Sequence, residues 1–327
     1  MGQQIAPYLT NLVDLHLHLG SSSTPHFLWE LAHEQGIRLK EKDYFTFIDS
    51  ITIKEQTTYD KYLKFFDLTE LIQSSTYAIE RAAHQAVSRA YRKGNVRTME
   101  IRFNPMLRNR SGEQDLDKII FGAVVGIKRA CMEYPVRAGL ILMMDRRFTK
   151  EQNEIIAGKA AKFASEGVVG LDIAGPITSS FRVDDIIDAV KLARDAGVHI
   201  TIHTGEVTGA DEMWEVIKKV SPDRIGHGIR CVDDPKLMDY LREKSITLEV
   251  CPLSNLQTSA VATWDEMRTV IQTLIAYKVP FTINSDGPEL LGTSVREEFE
   301  LLLEKHIMTI SDVAACTKTA RDAAFVR

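Results

Sequence analysis

The sequence is poor in cysteine: Cys131, Cys231, Cys251 and Cys316 are its four, and no two form a C-x-x-C pair. That disfavours a disulfide scaffold and a thiolate zinc cluster, and it points to reduced thiols. Long apolar runs are missing too, since stretches such as Leu140 to Met144 fall far short of the ~20 residues that cross a bilayer. Basic excess is absent: 40 Lys and Arg face 45 Asp and Glu, a net charge of −5 with no long block of one sign. A nucleic-acid footprint is therefore lacking. Met1 to Thr10 has neither a basic head nor an apolar run, so no secretory signal is visible. The expectation is a cytoplasmic protein with no membrane or nucleic-acid partner. No Gly/Ser linker, internal repeat or shift of composition divides the chain, which predicts one domain over residues 1–327.

What is present is a large apolar fraction, 44%, arranged in short runs that read as buried strands. They are Leu12 to Leu19, Val96 to Phe103, Arg137 to Met144, Val168 to Ala174, His199 to His203, Arg224 to Gly226, Ile246 to Cys251 and Val279 to Asn284. Between them lie amphipathic stretches of helical spacing: Asp115 to Glu133, Lys150 to Ser165, Val183 to Ala196, Ala210 to Lys219, Asp234 to Lys244 and Thr263 to Ala276. Eight strands alternating with helices predict an α/β fold, a closed (β/α)8 TIM barrel. The first crossover is irregular. Its helical patterns at Pro25 to Gln35, Tyr59 to Leu71 and Thr76 to Lys93 form an insertion over about residues 25–93, and the first two are expected to cover the barrel mouth. Arg296 to Glu304 and Ser311 to Phe325 read as closing helices.

Chemistry in such barrels sits where strands end. The first strand ends in His16-Leu17-His18, and a period of two turns both imidazoles inward. The fifth ends in His203-Thr204-Gly205-Glu206, the sixth in Gly226-His227-Gly228 and the eighth in Asn284-Ser285-Asp286-Gly287. His16, His18, His203 and Asp286 can supply a mononuclear metal site with a position left for water, and Glu206 and His227 then remain for proton transfer. Taken singly, His227 would be a backbone hydrogen-bonding group and Asp286 a helix cap. Their joint occurrence in barrel order argues against that. His199 reads as a core histidine, and His26, His33, His84 and His306 as surface or packing residues.

At these residues the chain resembles the adenosine deaminase family of metal-dependent hydrolases. The resemblance runs from Val13 to about Arg321 and rests on H-x-H at His16 and His18, H-T-G-E at His203 to Glu206, G-H-G around His227, C-P-L-S-N at Cys251 to Asn255, and S-D at Ser285 and Asp286. Arg102, Asn104 and Pro105 fit the family's segment after the second strand, and Asp172 to Gly175 its D-x-A-G segment. It implies one zinc per subunit on His16, His18, His203 and Asp286, with Glu206 and His227 moving protons. The implied reaction is hydrolytic deamination of adenosine or a related 6-aminopurine nucleoside to the 6-oxo product and ammonia. In it zinc makes its bound water acidic enough to attack C6, His227 or Asp286 takes the water's proton, and Glu206 protonates N1. The H-x-E and P-C-x-x-C signature of the other zinc deaminases is missing.

Departures from the family bear on the substrate. Gly287 stands where a second acidic residue bonds the purine N7 edge, with Glu289 a nearby substitute. Gly20 stands where an acidic residue meets the ribose 5′-hydroxyl, and Ser21 to Thr24 make the turn neutral and hydroxyl-rich, open to a 5′-phosphate or a bulkier group. Arg108 and Arg110 are expected to be solvated charges. Gly175 keeps a backbone approach to N3, Pro176 and Ile177 replace an acidic pair, and Asn104 replaces a Ser. The alternative substrates are thus 5′-modified or N6-modified adenosine derivatives, nucleotides or aminofutalosine-like compounds. A two-metal amidohydrolase is disfavoured because Val168 to Ala174 has no bridging lysine. A catalytically inactive nucleoside-binding homologue is disfavoured because every ligand and Glu206 are kept.

Overall fold

The computed structural model describes residues 9–109 and 113–327; Arg110 and most of the Met1 to Thr10 stretch lie outside the described residues. The strands are β1 (Leu12–His18), β2 (Val96–Phe103), β3 (Arg137–Asp145), β4 (Val168–Ala174), β5 (His199–Thr204), β6 (Arg224–His227), β7 (Thr247–Val250) and β8 (Phe281–Ile283). They pair in that order, all parallel, as a (β/α)8 TIM barrel. Strands covered on both faces need not alternate apolar with polar, which is why the expected runs were near-continuous. In β1 the alternation is interrupted by a register shift between Asp14 and Leu17: Asp14 and Leu17 pair with Met99 and Ile101, while Val13 and His18 pair with Thr98 and Arg102. Val13 and Leu15 pack against Ala320 and Ala324.

Four helices fill the first crossover: α1 (Pro25–Glu34), α2 (Tyr44–Ser50), α3 (Tyr59–Ile72) and α4 (Thr76–Gly94). Thr24, Thr58 and Ser75 cap α1, α3 and α4, each accepting from the N–H three residues on. The seven-residue α2 is too short to show a period and was not expected. The remaining helices are α5 (Leu116–Glu133), α6 (Lys150–Lys162), α7 (Ile187–Asp195), α8 (Ala210–Val220), α9 (Pro235–Lys244), α10 (Pro252–Gln257), α11 (Trp264–Tyr277), α12 (Pro288–Leu291), α13 (Val295–Glu304) and α14 (Ile310–Ala323). The stretches expected at 150–165 and 183–196 each contain a 3-10 turn, at Ala164–Glu166 and at Val183–Ile186. Among the described residues no helix is long and apolar enough to cross a membrane.

The ring closes between β8 and β1 with little ladder, because β8 has three residues. The Asp286 N–H donates to the His16 carbonyl and the His18 N–H to the Asp286 carbonyl, both at 2.8 Å. Side chains complete the seam: the Leu15 N–H donates to Asn284 Oδ1 at 2.9 Å, and Ser285 Oγ to Asp14 Oδ2 at 2.5 Å.

On the outside, α4 and α5 touch backbone to backbone. A Cβ on Gly126 would run into the Glu80 carbonyl oxygen, and one on Gly122 would lie 2.9 Å from that of Thr76. Gly126→Ala is expected to destabilise the fold by about 1–3 kcal/mol, as overpacking does. Denaturant unfolding monitored by circular dichroism checks this, and an unchanged midpoint would mean that the two helices can part without cost.

Candidate active site

The C-terminal ends of the strands carry a cluster of four imidazoles. His16 is fully buried, and its Nδ1 lies 2.7 Å from Glu249 Oε2. His203 Nδ1 lies 2.9 Å from Asp172 Oδ2. A neutral imidazole that gives its Nδ1 proton to a carboxylate presents Nε2 as a lone pair. Burial, with Arg102 next in effect for His16 and His203, pushes His16, His18 and His203 well below the usual histidine range, so all three stay neutral. Their ring nitrogens come within 4.8 Å of one another.

Asp286 meets this group from β8. Its Oδ1 is 3.2 Å from His18 Nε2 and 3.8 Å from His16 Nε2. Its Oδ2 accepts from Ser254 Oγ and, at 3.4 Å, from the Tyr62 hydroxyl. Two buried atoms, His16 Nε2 and Asp286 Oδ1, have no hydrogen-bond partner among the described residues. Unpaired buried polar atoms are rare and call for a reason. A divalent cation fits: three neutral imidazoles lie together, an Asp286 oxygen reaches two of them, and the outer atoms of His16, His203 and Asp286 are already held. Cys251 also reaches within 4.8 Å of ligand atoms of His16, His227 and Asp286, and burial pushes its thiol well up.

Glu206 and His227 face each other beside the cluster, His227 Nε2 lying 3.7 Å from Glu206 Oε2. Burial first, and the Asp286 charge second, push the Glu206 carboxyl up to about 8, so it is a protonated acid at neutral pH. Burial takes the His227 imidazole down to about 4. His227 and Asp286 both have left-handed backbones, φ 60° and 56°. Such a conformation costs a non-glycine residue about 1 kcal/mol or more and persists where the surroundings dictate it.

A pocket opens above these groups. Its inner wall is His18, His203, Glu206, His227 and Asp286, and α3 hangs Tyr59, Tyr62 and Phe66 over it. The helix α1, expected to share that cover, contributes no lining residue. Gly20, Asn104 and Gly175 line the pocket as well. Gly175 has φ 95°, and a Cβ there would lie 2.8 Å from Asp145 Oδ1. The Asn104 Oδ1 caps the N–H groups of Met106 and Leu107, while its Nδ2 is buried with no partner among the described residues.

Several expectations are corrected. Gly287 is not on the pocket wall; its Cβ position lies 3.1 Å from Ser21 Oγ and 3.4 Å from the Tyr62 hydroxyl. Glu289 cannot stand in for a base contact, because Arg89 Nε holds it at 2.7 Å. The hydroxyls of Ser21 and Ser22 donate to the His18 carbonyl and do not line the pocket. Arg108 is not solvated. It is 1% exposed, lines the pocket, and its Nη2 lies 3.3 Å from a Cβ placed on Gly20. His199 is not a core residue, since 44% of its side chain is exposed at the far end of β5, stacked on Phe325 at 4.5 Å. Sequence reasoning did not single out Tyr59, Tyr62, Asp145, Arg147 or Glu249; a glutamate amid the apolar residues of 246–251 was the one available signal.

The family model described as Adenosine deaminase matches residues 11–327. An adenosine deaminase of Vibrio vulnificus is 30% identical over 299 residues, 91% of this chain and 88% of that protein. The structure of an amidohydrolase from Burkholderia ambifaria with bound Zn superposes with a TM-score of 0.87 at 21% identity, covering 100% of this chain and 90% of the other. The N6-mAMP deaminase of Arabidopsis superposes with a TM-score of 0.83 at 24% identity, over 98% and 96%. At these identities the two structures attest the fold.

His203→Ala is expected to abolish stoichiometric divalent metal, read by elemental analysis after zinc loading and desalting, while Glu206→Gln keeps it. Full metal retention by His203→Ala would remove that residue from the ligand set.

Proposed function

The chain belongs to the adenosine deaminase family of hydrolytic aminohydrolases, and we propose that it deaminates adenosine or a related 6-aminopurine nucleoside in the cytoplasm. His16, His18, His203 and Asp286 would hold one zinc ion, as the donor set suggests and as the Burkholderia amidohydrolase carries Zn. When bound, that ion would supply a water acidified toward neutrality.

The observation that carries the reading is Glu206, a buried carboxyl kept protonated on the pocket wall beside four imidazoles. Burial is the larger cause of that state. Attack of water on C6 pushes an electron pair onto N1, and Glu206 gives N1 its proton as this happens. The water's first proton goes to Asp286 or His227 and from there to the departing amino group, which leaves as ammonia. Its second proton leaves the C6 hydroxyl and restores Glu206, so the product keeps N1–H and a 6-oxo group. Gly175 and Asn104 line the pocket and would offer a backbone and an amide group to the base, and Tyr59, Tyr62 and Phe66 would keep bulk water from it.

A second reading, a nucleotide or other 5′-anionic derivative, is favoured by Arg108. A buried guanidinium beside Gly20, where an acidic side chain has no space against Phe66, suits an anionic group. The Arabidopsis relative acts on such a compound, N6-mAMP.

Because the Glu206 pKa is raised from 4.5 to about 8, the acid is present below that pH and lost above it. Burial, the larger cause, raises the carboxyl whether or not a cation offsets the Asp286 charge, so the kcat/KM of the zinc-loaded enzyme is expected to fall on the alkaline side as Glu206 loses its proton, and Glu206→Gln to lower turnover by about 10²–10⁴. Retained turnover in that variant would remove Glu206 from the reaction. Ammonia release from adenosine, AMP and N6-methyl-AMP separates the two substrate readings. If the anionic one holds, Arg108→Gln lowers kcat/KM for the phosphorylated compounds and spares adenosine.

A further inference from the structure

The short helix α10 and Thr258, the residue that ends it, have no task in the reaction just described, yet together they touch three of the site's polar side chains. Ser254 donates to Asp286, Thr258 Oγ1 donates to Glu206 Oε1 at 3.5 Å, and Asn255 Nδ2 lies 3.0 Å from His227 Nδ1. The helix is itself held from behind, its Leu253 N–H donating at 3.1 Å to the buried carboxyl of Glu298. Asn255 is 0% exposed, its N–H bonded to the Cys251 carbonyl and its carbonyl accepting from Val261 at 3.0 Å. Its amide is thus presented to His227 by a fixed backbone in a place water does not reach.

An amide nitrogen has only hydrogens to offer, so the His227 Nδ1 facing it must be the accepting nitrogen. A neutral imidazole then carries its single proton on Nε2, the atom that faces Glu206 and the pocket. The reverse orientation of the amide is less favourable. As it stands, one acceptor, Asn255 Oδ1, has no partner among the described residues; reversed, two buried amide hydrogens would lie in that same place without an acceptor. Buried orphan donors are the rarer and costlier case. The His16 and His203 rings pack against His227 at 4.7 and 5.3 Å between centroids, and the Gly228 N–H bond to the Thr204 carbonyl, 3.0 Å, fixes its backbone.

We propose that Asn255 is a positioning residue that fixes His227 as its Nε2–H tautomer. His227 then enters the reaction as a hydrogen-bond donor to the oxygen that ends on C6, not as the acceptor of the water's proton. This rests on the deaminase reading and sharpens it: of the two acceptors named above, Asp286 takes the proton and passes it to the leaving amine, and His227 transfers none.

The test is ¹⁵N NMR of the zinc-loaded protein labelled at histidine, with the His227 signals identified by their loss in His227→Gln. The expected pattern is a pyridine-type Nδ1 and a protonated, pyrrole-type Nε2; the opposite pattern overturns the proposal. In Asn255→Asp a carboxylate, which can only accept, replaces the donor. That variant is expected to move the proton to Nδ1 and to lower kcat by about tenfold or more, since a misplaced imidazole proton is costly, with KM and zinc content nearly unchanged. An unaltered tautomer and kcat in Asn255→Asp would also overturn it. The wild-type spectrum needs neither a variant that folds nor turnover, so failure of this assignment is distinct from failure of the deaminase reading, which silence toward every 6-aminopurine would show.

Discussion

One buried carboxylate organises the barrel interior. Glu249 Oε2 accepts from His16 Nδ1 and Arg102 Nη2, each at 2.7 Å, and Oε1 accepts from Arg224 Nε at 2.7 Å and Thr201 Oγ1 at 3.0 Å. Burial opposes its ionisation, but the two guanidinium groups outweigh this and hold it down at about 2. Five strands, β1, β2, β5, β6 and β7, thereby meet on one side chain. Arg102 extends the array to Asp172 at 2.8 Å, and Asp172 in turn fixes His203. Removing one member of such a set strands the others as uncompensated charge, at about 3–5 kcal/mol. The imidazoles at the pocket floor therefore point where they do because an ionic lattice beneath them leaves no alternative.

Above that lattice the same economy recurs in backbone form. His227 and Asp286, at the ends of the sixth and eighth strand segments, have left-handed backbones. Strain of this kind persists only where neighbours over-determine it. Here those neighbours are α10 on one side and the hydrogen bonds of β1 on the other.

The barrel was legible because its strands are buried on both faces and bounded by turns. The H-x-H, H-T-G-E, G-H-G and S-D groups stood out through their joint occurrence in barrel order and their resemblance to one family, since each alone has an ordinary structural use. Distances between crossovers were not. Arg108 looked like a loop charge because nothing local in residues 104–109 says that Gly20 and Phe66, far away in the chain, make room for it. Glu289 looked available until Arg89 of α4 was seen to hold it. Glu249, Arg224 and Glu100 lie within apolar strands, where a charge signals a buried partner without naming it. Tyr59 and Tyr62 belong to an insertion whose docking onto the mouth depends on contacts with distant loops, such as the Thr57 N–H bond to the Gln257 carbonyl at 2.7 Å.

The closure of the ring has a thermodynamic corollary. Asp286 gives its backbone to the β8–β1 seam and its carboxylate to the cluster proposed to hold zinc, so ring integrity and metal occupancy are one equilibrium seen from two sides. A cation that binds only the closed ring adds RT ln(1 + [M]/Kd) to its stability. The three-residue β8, the weakest rung by length, is thus the one whose local opening responds most to metal concentration, and the barrel would report its own loading through the amide-exchange rates at that seam.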